Sequence, residues 1–225
     1  MKLKSWNPGW NDVFKKYNWG KYPAEPLVRF IGKNYKDRVK NKKIKVLEIG
    51  CGTGANLWYL SKNNFQTFGV DGSNVALNKA KKLIKKHNEK CDLTRADIIN
   101  LPFEDEYFDL IIDIECLYSN SLSKSKIILK EIDRVLKKRG IFFSLSFSTK
   151  TSGYGDGTQL AGEKNTYTKL NSGPLKNEYG IIRFMNIRNI YKLYALFEIV
   201  SIEKVSRTYN NLKEIIEEWI IITKK

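Results

Sequence analysis

Apolar residues recur along this chain in two rhythms. Short apolar runs rich in branched side chains, at 44–49, 65–70, 91–96, 108–113 and 141–147, predict buried strands. Between them, apolar positions three and four apart predict helices over 24–37 (Leu27, Val28, Ile31, Tyr35), 73–88 (Ala76, Ala80, Leu83, Ile84), 124–138 (Ile128, Ile132, Val135, Leu136) and 186–197 (Ile187, Ile190, Tyr191, Tyr194). Two further strands, 198–207 and 217–223, follow. Strands and helices alternating at these lengths predict a doubly wound α/β sheet with helices on both faces. His87, the only histidine, continues the apolar stripe of the 73–88 helix, far from the strand carboxyl ends, and is read as structural.

The first strand breaks into Gly50-Cys51-Gly52-Thr53-Gly54 and resumes as an apolar helix through Leu57, Trp58 and Leu60. Such a turn sets bare backbone N–H groups and a positive helix end beside a ligand, and glycines let a nucleoside approach the backbone. Gly50, Gly52 and Ala55 satisfy the loose dinucleotide fingerprint G-x-G-x-x-G/A. Glu48 points another way: an anion two residues before the first glycine repels a pyrophosphate and suits a cationic ligand. Asp71 lies 21 residues beyond Gly50 at the end of the second strand. At that spacing a carboxylate accepts from both hydroxyls of a ribose. Asp71 also fits a helix N-cap, a place that Ser73 can fill instead.

The string Glu48-Ile49-Gly50-Cys51-Gly52-Thr53-Gly54 resembles motif I of the class I S-adenosylmethionine-dependent methyltransferases, an acid followed by x-G-x-G-x-G. Residues 101–110 read L-P-F-x-D-x-x-F-D-L, which resembles the "type 11" branch of that family. Residues 131–140 are similar to its E-x-x-R-V-L-K-P-G-G element; the proline and one glycine are missing, and Gly140 is left to supply the turn before the fifth strand. The resemblance runs nearly continuously over 46–115. It implies a seven-stranded, mostly parallel, Rossmann-like sheet whose antiparallel last strand lies beside the fifth. It also implies S-adenosyl-L-methionine as cofactor, with S-adenosyl-L-homocysteine as product. Residue by residue, it places Gly50, Cys51 and Gly52 along the methionine portion, with Glu48 and Asn56 beside them. Asp71 and Gly72 fall at the ribose, and Asp97 and Ile98 at the adenine. Tyr22 and Arg29 are candidates for the carboxylate. Glu115 and Tyr118 stand at the carboxyl edge of the sheet, facing cofactor or substrate, and with Asp113 are the candidate bases. Ser119 and Asn120 stand where many relatives carry a histidine. No N/D-P-P-Y/F string supports N-methylation of DNA bases.

Composition narrows the picture. With 225 residues, 42% hydrophobic and 28% charged, the chain is read as one soluble domain over 1–225. No apolar run approaches the roughly 20 residues of a membrane span. The opening residues lack a signal-peptide core, and three scattered cysteines suggest reduced thiols, so a cytoplasmic monomer or homodimer is expected. No metal is expected, since no residues cluster at metal-ligand spacing. The formal charge of +16 is uneven: residues 1–45 hold thirteen Lys/Arg against three acids, whereas 91–123 hold one Arg against eight acids. Lysine-rich faces are often merely solvated. Read functionally, the basic arm favours a small anionic acceptor, such as a sugar, a nucleotide-linked or a phosphorylated metabolite, with RNA as the alternative.

Two segments stand apart. Residues 1–40 form a basic arm and helix; within 1–22, Trp6, Trp10, Tyr17, Trp19 and Tyr22 follow no clean period. The arm is read either as a docking segment or as a lid over the cofactor. Residues 148–185 form a glycine-rich loop insertion after the fifth strand, with Tyr154, Asp156, Glu163 and Tyr167 as substrate-side candidates.

Overall fold

The computed structural model describes residues 4–17, 20–176 and 179–225. In chain order the elements are α1 (Trp10–Lys16), α2 (Glu25–Asn34), α3 (Arg38–Asn41), β1 (Lys45–Ile49), α4 (Ala55–Lys62), β2 (Gln66–Asp71), α5 (Asn74–Lys86), β3 (Asp92–Arg95), β4 (Phe108–Ile114), α6 (Leu122–Val135), β5 (Leu136–Phe147), β6 (Thr158–Gln159), β7 (Thr166–Thr168), β8 (Ile181–Arg183), α7 (Ile187–Leu193), β9 (Glu198–Tyr209) and β10 (Glu214–Lys224). The main sheet has seven strands in the order β3-β2-β1-β4-β5-β10-β9. The first five are parallel, and β10 inserts antiparallel between β5 and β9. Chain order reverses between β1 and β4, the switch point at which open sheets of this kind bind ligands.

Period-2 alternation divides each central strand between two cores. Leu47, Ile49, Ile111 and Phe142 face one side, where Ile128 and Ile132 of α6 and Ile190 and Leu193 of α7 cover them. Val46, Leu110, Ile112, Phe143 and Leu145 face the other, against Leu27, Phe30 and Ile31 of α2 and Leu60 of α4. Both faces are dry, so these strands read as unbroken apolar runs.

Four expectations need correction. Residues 10–16 are helical. The turn expected at Gly140 is an irregularity within β5, which starts directly after α6 and carries Arg139 at φ +65°. The 148–185 insertion folds into a second sheet, β6-β7-β8, rather than an irregular loop. His87 is exposed at the end of α5 and stacks on Trp58, ring centroids 4.3 Å apart, instead of facing the core.

Candidate functional site

The glycine turn leaves β1 at the switch point and is held from three sides. The Cys51 N–H donates to the Val70 carbonyl at 3.0 Å, tying the turn to β2. Gly50 adopts φ +61°, and a Cβ there would lie 2.2 Å from the Cys116 Sγ, so the segment after β4 packs where a side chain would stand. The Gly52 N–H donates to the Asp71 carboxylate at 2.9 Å. The other Asp71 oxygen accepts from the Ser73 N–H at 2.8 Å, while the Ser73 hydroxyl accepts from the Ala76 N–H and caps α5. Asp71 is therefore not the helix cap. Burial pushes its pKa up against these two N–H bonds.

Glu48 is buried beneath the turn. One carboxylate oxygen accepts from the Asn56 side-chain amide at 2.7 Å, and Asn56 in turn accepts from the Ala24 N–H at 2.9 Å. The second Glu48 oxygen is buried with no hydrogen-bond partner among the described residues. Burial raises this carboxyl from its ordinary 4.5 to about 8, with Asp71 and Asp113 adding to the effect and the Asn56 bond opposing it. A buried carboxylate oxygen without a partner, beside a cradle of bare amides, suits a ligand ammonium.

At the far edge of the cradle, Asp113 corrects one expectation. It is 0% exposed, and it accepts from the Cys116 and Leu117 N–H groups, each at 2.9 Å, and from the Ser144 hydroxyl at 2.6 Å. The two N–H bonds shape the turn after β4 and the Ser144 bond ties Asp113 to β5, and Asp113 is not among the residues that line the adjacent cavity, so it is not positioned as a base. That turn holds Glu115 at φ +54°, a backbone conformation uncommon outside glycine. Tyr118 is buried edge-on against Phe147, centroids 4.8 Å apart. Arg183 of β8, invisible to motif reading, reaches under the turn and donates to the carbonyls of Asn120 (2.6 Å) and Leu117 (3.1 Å).

The glycine turn, Glu48, Asp71 and the segment after β4 border one cavity of about 480 Å³. Of the residues expected at a site, Tyr22, Glu48, Gly50, Cys51, Gly52, Asn56, Asp71, Gly72, Ile98, Glu115 and Tyr118 line it together. Arg29 does not. Its side chain is 79% exposed on the outer face of α2, in an ion pair with Glu25 at 2.8 Å one helical turn away. Asp97 does not line it either. Its carboxylate accepts from the Ser5 hydroxyl and from the N–H groups of Ser5 (2.9 Å), Trp6 (3.3 Å) and Ile99 (3.2 Å). The arm, not an open cavity, meets the acid expected at the adenine. Tyr154, Asp156, Glu163 and Tyr167 also fall outside. Glu163 accepts from the Leu122 N–H at the start of α6, Tyr154 donates to Asn165, Asp156 accepts from Asn171, and Tyr167 is buried in a satellite core.

The arm spans the cavity from end to end. Ser5 and Trp6 are tied to Asp97, Asn11 accepts from the Ser73 hydroxyl at 2.6 Å, and Lys79 donates to the carbonyls of Phe14 (2.5 Å) and Tyr17 (3.1 Å). Further along, the Gly20 carbonyl accepts from Thr53 and the Lys21 carbonyl from the Trp58 indole. Trp6, Trp10 and Phe14 line the cavity; Trp19, the remaining arm tryptophan, lies outside the described residues. The Trp6 ring lies on Gly72, where a Cβ would come within 2.1 Å of it. Trp6→Ala is expected to weaken S-adenosylhomocysteine binding on the order of tenfold, from the apolar contact removed. Calorimetric titration checks this, and an unchanged Kd would mean that the arm packs beside the ligand without contacting it.

Comparison with known proteins accords with this geometry. A family model described as "Methyltransferase domain" matches residues 40–216. The chain belongs to the class I S-adenosylmethionine-dependent methyltransferase family. Membership brings S-adenosylmethionine as cofactor and methyl transfer as the family reaction. The chain is 31% identical over 105 residues to the uncharacterized methyltransferase YodH of Bacillus subtilis, covering 47% of this chain and 44% of that one. It is 35% identical over 102 residues to the phthiotriol/phenolphthiotriol dimycocerosates methyltransferase of Mycobacterium tuberculosis, covering 44% and 36%. The match thus spans less than half the length of either relative. Among solved structures, an S-adenosylmethionine-dependent methyltransferase of Methanosarcina mazei superposes with TM-score 0.68 at 21% identity, over 81% of this chain and 92% of that one. The [4+2]-cyclase SpnF superposes with TM-score 0.66 at 17% identity, over 97% and 92%. One fold thus carries different reactions, and the site's chemistry has to decide among them. No helix among the described residues is long and apolar enough to cross a membrane.

Proposed function

We propose that this methyltransferase moves a methyl group from S-adenosylmethionine to an oxygen or nitrogen of a small molecule. The observation that carries the reading is the cavity itself, where the glycine turn, Glu48, Asp71 and Ile98 border the same space as Glu115 and Tyr118. Asp71 would take the ribose hydroxyls, Ile98 and Trp6 the adenine faces, and Glu48 the ammonium, with Gly50 and Gly52 passing close to the methionine portion. Asp97 would act on the adenine end by anchoring the arm. The bound cofactor supplies an already activated methyl, so the chain's own part is alignment and water exclusion, which the arm serves.

The small anionic acceptor expected from the basic arm finds little support in this lining. Among the described residues that border the cavity, Arg207 is the one cation, against Glu48, Asp71 and Glu115. The roof formed by the arm also favours a small molecule over RNA. The test is a labelled-methyl screen of amines, sugars, nucleotide-linked and phosphorylated metabolites beside total RNA, after S-adenosylhomocysteine binding has been measured. Label on a small molecule, with little dependence on salt, is the expected result. Label only on RNA, with transfer falling steeply as salt rises, would replace it with the RNA reading.

A further inference from the structure

Glu115 and Arg207 border the cofactor cavity, and both also line a second cavity of about 420 Å³. The fold builds this chamber at the active edge. Because β10 runs antiparallel to β5, its first residues lie beside the carboxyl end of β5, with Glu218 opposite Phe147. The β9–β10 turn therefore stands next to the place where the parallel strands end. Apolar Phe147, Leu175 and Ile216 line the chamber together with Glu115, Arg207 and Glu214, and the register sets Ile216 beside Arg207 on the face of the β9–β10 hairpin that also carries Glu214.

The sign of that charged lining decides what the chamber accepts. The Arg207 guanidinium is already matched by Glu218 at 3.0 Å. Glu218 is 2% exposed, and its second carboxylate oxygen is buried without a hydrogen-bond partner among the described residues. Arg207 is the one described cation lining either cavity, whereas Glu48, Asp71, Glu115 and Glu214 are the described acids. Of these acids Glu115 and Glu214 line this chamber, and with Arg207 paired to Glu218 its described lining is acidic.

We propose that this second cavity holds the methyl acceptor, and that the acceptor is a primary or secondary amine carrying an apolar group. The inference rests on the methyltransferase reading above and names its substrate class. The apolar body lies on Phe147, Leu175 and Ile216, and the ammonium is held by Glu115 and Glu214. Glu115, which faces both cavities, takes the ammonium proton. The freed nitrogen lone pair then forms the bond to the methyl carbon as the carbon–sulfur bond breaks, and that bonding pair stays on sulfur, leaving a neutral thioether.

The test is calorimetric titration of the protein saturated with S-adenosylhomocysteine, using three probes of matched shape: phenethylamine, 3-phenylpropanoate and 2-phenylethanol. Failure of S-adenosylhomocysteine itself to bind would sink the cofactor reading and is seen before any probe is added. With it bound, phenethylamine is expected to bind at least about tenfold more tightly than either other probe. Glu115→Gln and Glu214→Gln should each weaken phenethylamine about tenfold, with the melting temperature retained. Glu214→Gln should also keep its S-adenosylhomocysteine affinity. Any ranking in which the amine is not the tightest probe overturns the proposal, as does amine binding that survives both substitutions. Preferred binding of 3-phenylpropanoate, lost in Arg207→Gln, would assign the chamber to an anion instead.

Discussion

Gly50→Val and Asp71→Ala are each expected to weaken S-adenosylhomocysteine binding at least about 100-fold, the two largest losses of any single substitutions in this site. For Gly50 two effects combine. The residue sits at φ +61°, where a β-branched side chain is strained, and a Cβ would stand 2.2 Å from the Cys116 Sγ. The turn would have to shift away from the segment after β4, carrying its amides off the ligand. For Asp71, the loss is of charge-assisted hydrogen bonds to the ribose, each worth roughly 1.5–3 kcal/mol. The carboxylate also accepts from the Gly52 and Ser73 N–H groups, so its removal unties the glycine turn from the end of β2. Asp71→Asn separates the two contributions: it fills the space yet presents an N–H₂ group to at least one backbone donor, and should bind almost as poorly. Calorimetry measures the affinity, and thermal melting confirms that each variant remains folded. Binding within threefold of wild type in both Gly50→Val and Asp71→Ala would remove the cofactor site from this turn.

The second large effect is on pH, through Glu48. Its carboxyl is raised by burial to about 8, from an ordinary 4.5. The folded protein therefore keeps the proton across a window in which the unfolded chain has released it. Without ligand, this group's contribution is most favourable to folding below about pH 4.5, falls as pH rises toward 8, and is flat above it. At about 1.36 kcal/mol for each pH unit, the ceiling on that loss is ~5 kcal/mol. Glu48→Gln keeps the Asn56 contact and removes the titration, so it should raise the melting temperature of the ligand-free protein at pH 8.5 and change it little at pH 5. Ligand binding runs the other way. A ligand ammonium pairs with the ionised carboxylate, so S-adenosylhomocysteine affinity should climb by up to about tenfold per pH unit from pH 6.5 and level off near 8. Asp71 and Asp113 are also raised by burial above the ordinary carboxylate range. In Glu48→Gln the climb should vanish and the affinity should stay low throughout. A pH-independent affinity in the wild type would exclude Glu48 from the ammonium contact.

The parts of this protein visible in its sequence are those set by local rules. Alternation within β1, β4 and β5 and the helical stripes of α2, α5 and α6 fix a doubly wound sheet, because period and burial are encoded within each element. Gly50, Asp71 and Ile98 come into one cavity for a related reason: each stands at the carboxyl end of a parallel strand, so position along its own element suffices to place it. His87 shows the limit of such rules. It continues an apolar stripe on paper, yet at the end of α5 it is exposed and stacks on Trp58.

What no local rule contains is which distant segment arrives beside a given residue. Asp97 has the spacing of an adenine ligand, but Ser5, 92 positions away, reaches its carboxylate. Arg29 lies on the right helix and turns outward to Glu25, because the apolar stripe of α2 leaves it on the solvent face. Tyr154 and Glu163 sit in the right insertion, but that insertion folds on itself and against α6 instead of turning toward the ligand. Arg207 and Glu214 carry no motif at all. They reach the active edge only because β10 inserts antiparallel between β5 and β9, a long-range pairing that turns the β9–β10 hairpin toward the strand ends. The sequence by itself determined the sheet, its glycine turn and the acid at the end of β2, since each follows from the order of residues within one element. Only the tertiary structure decided the roof, the second cavity and the charged residues that line it, because those depend on contacts between elements that the chain order does not specify.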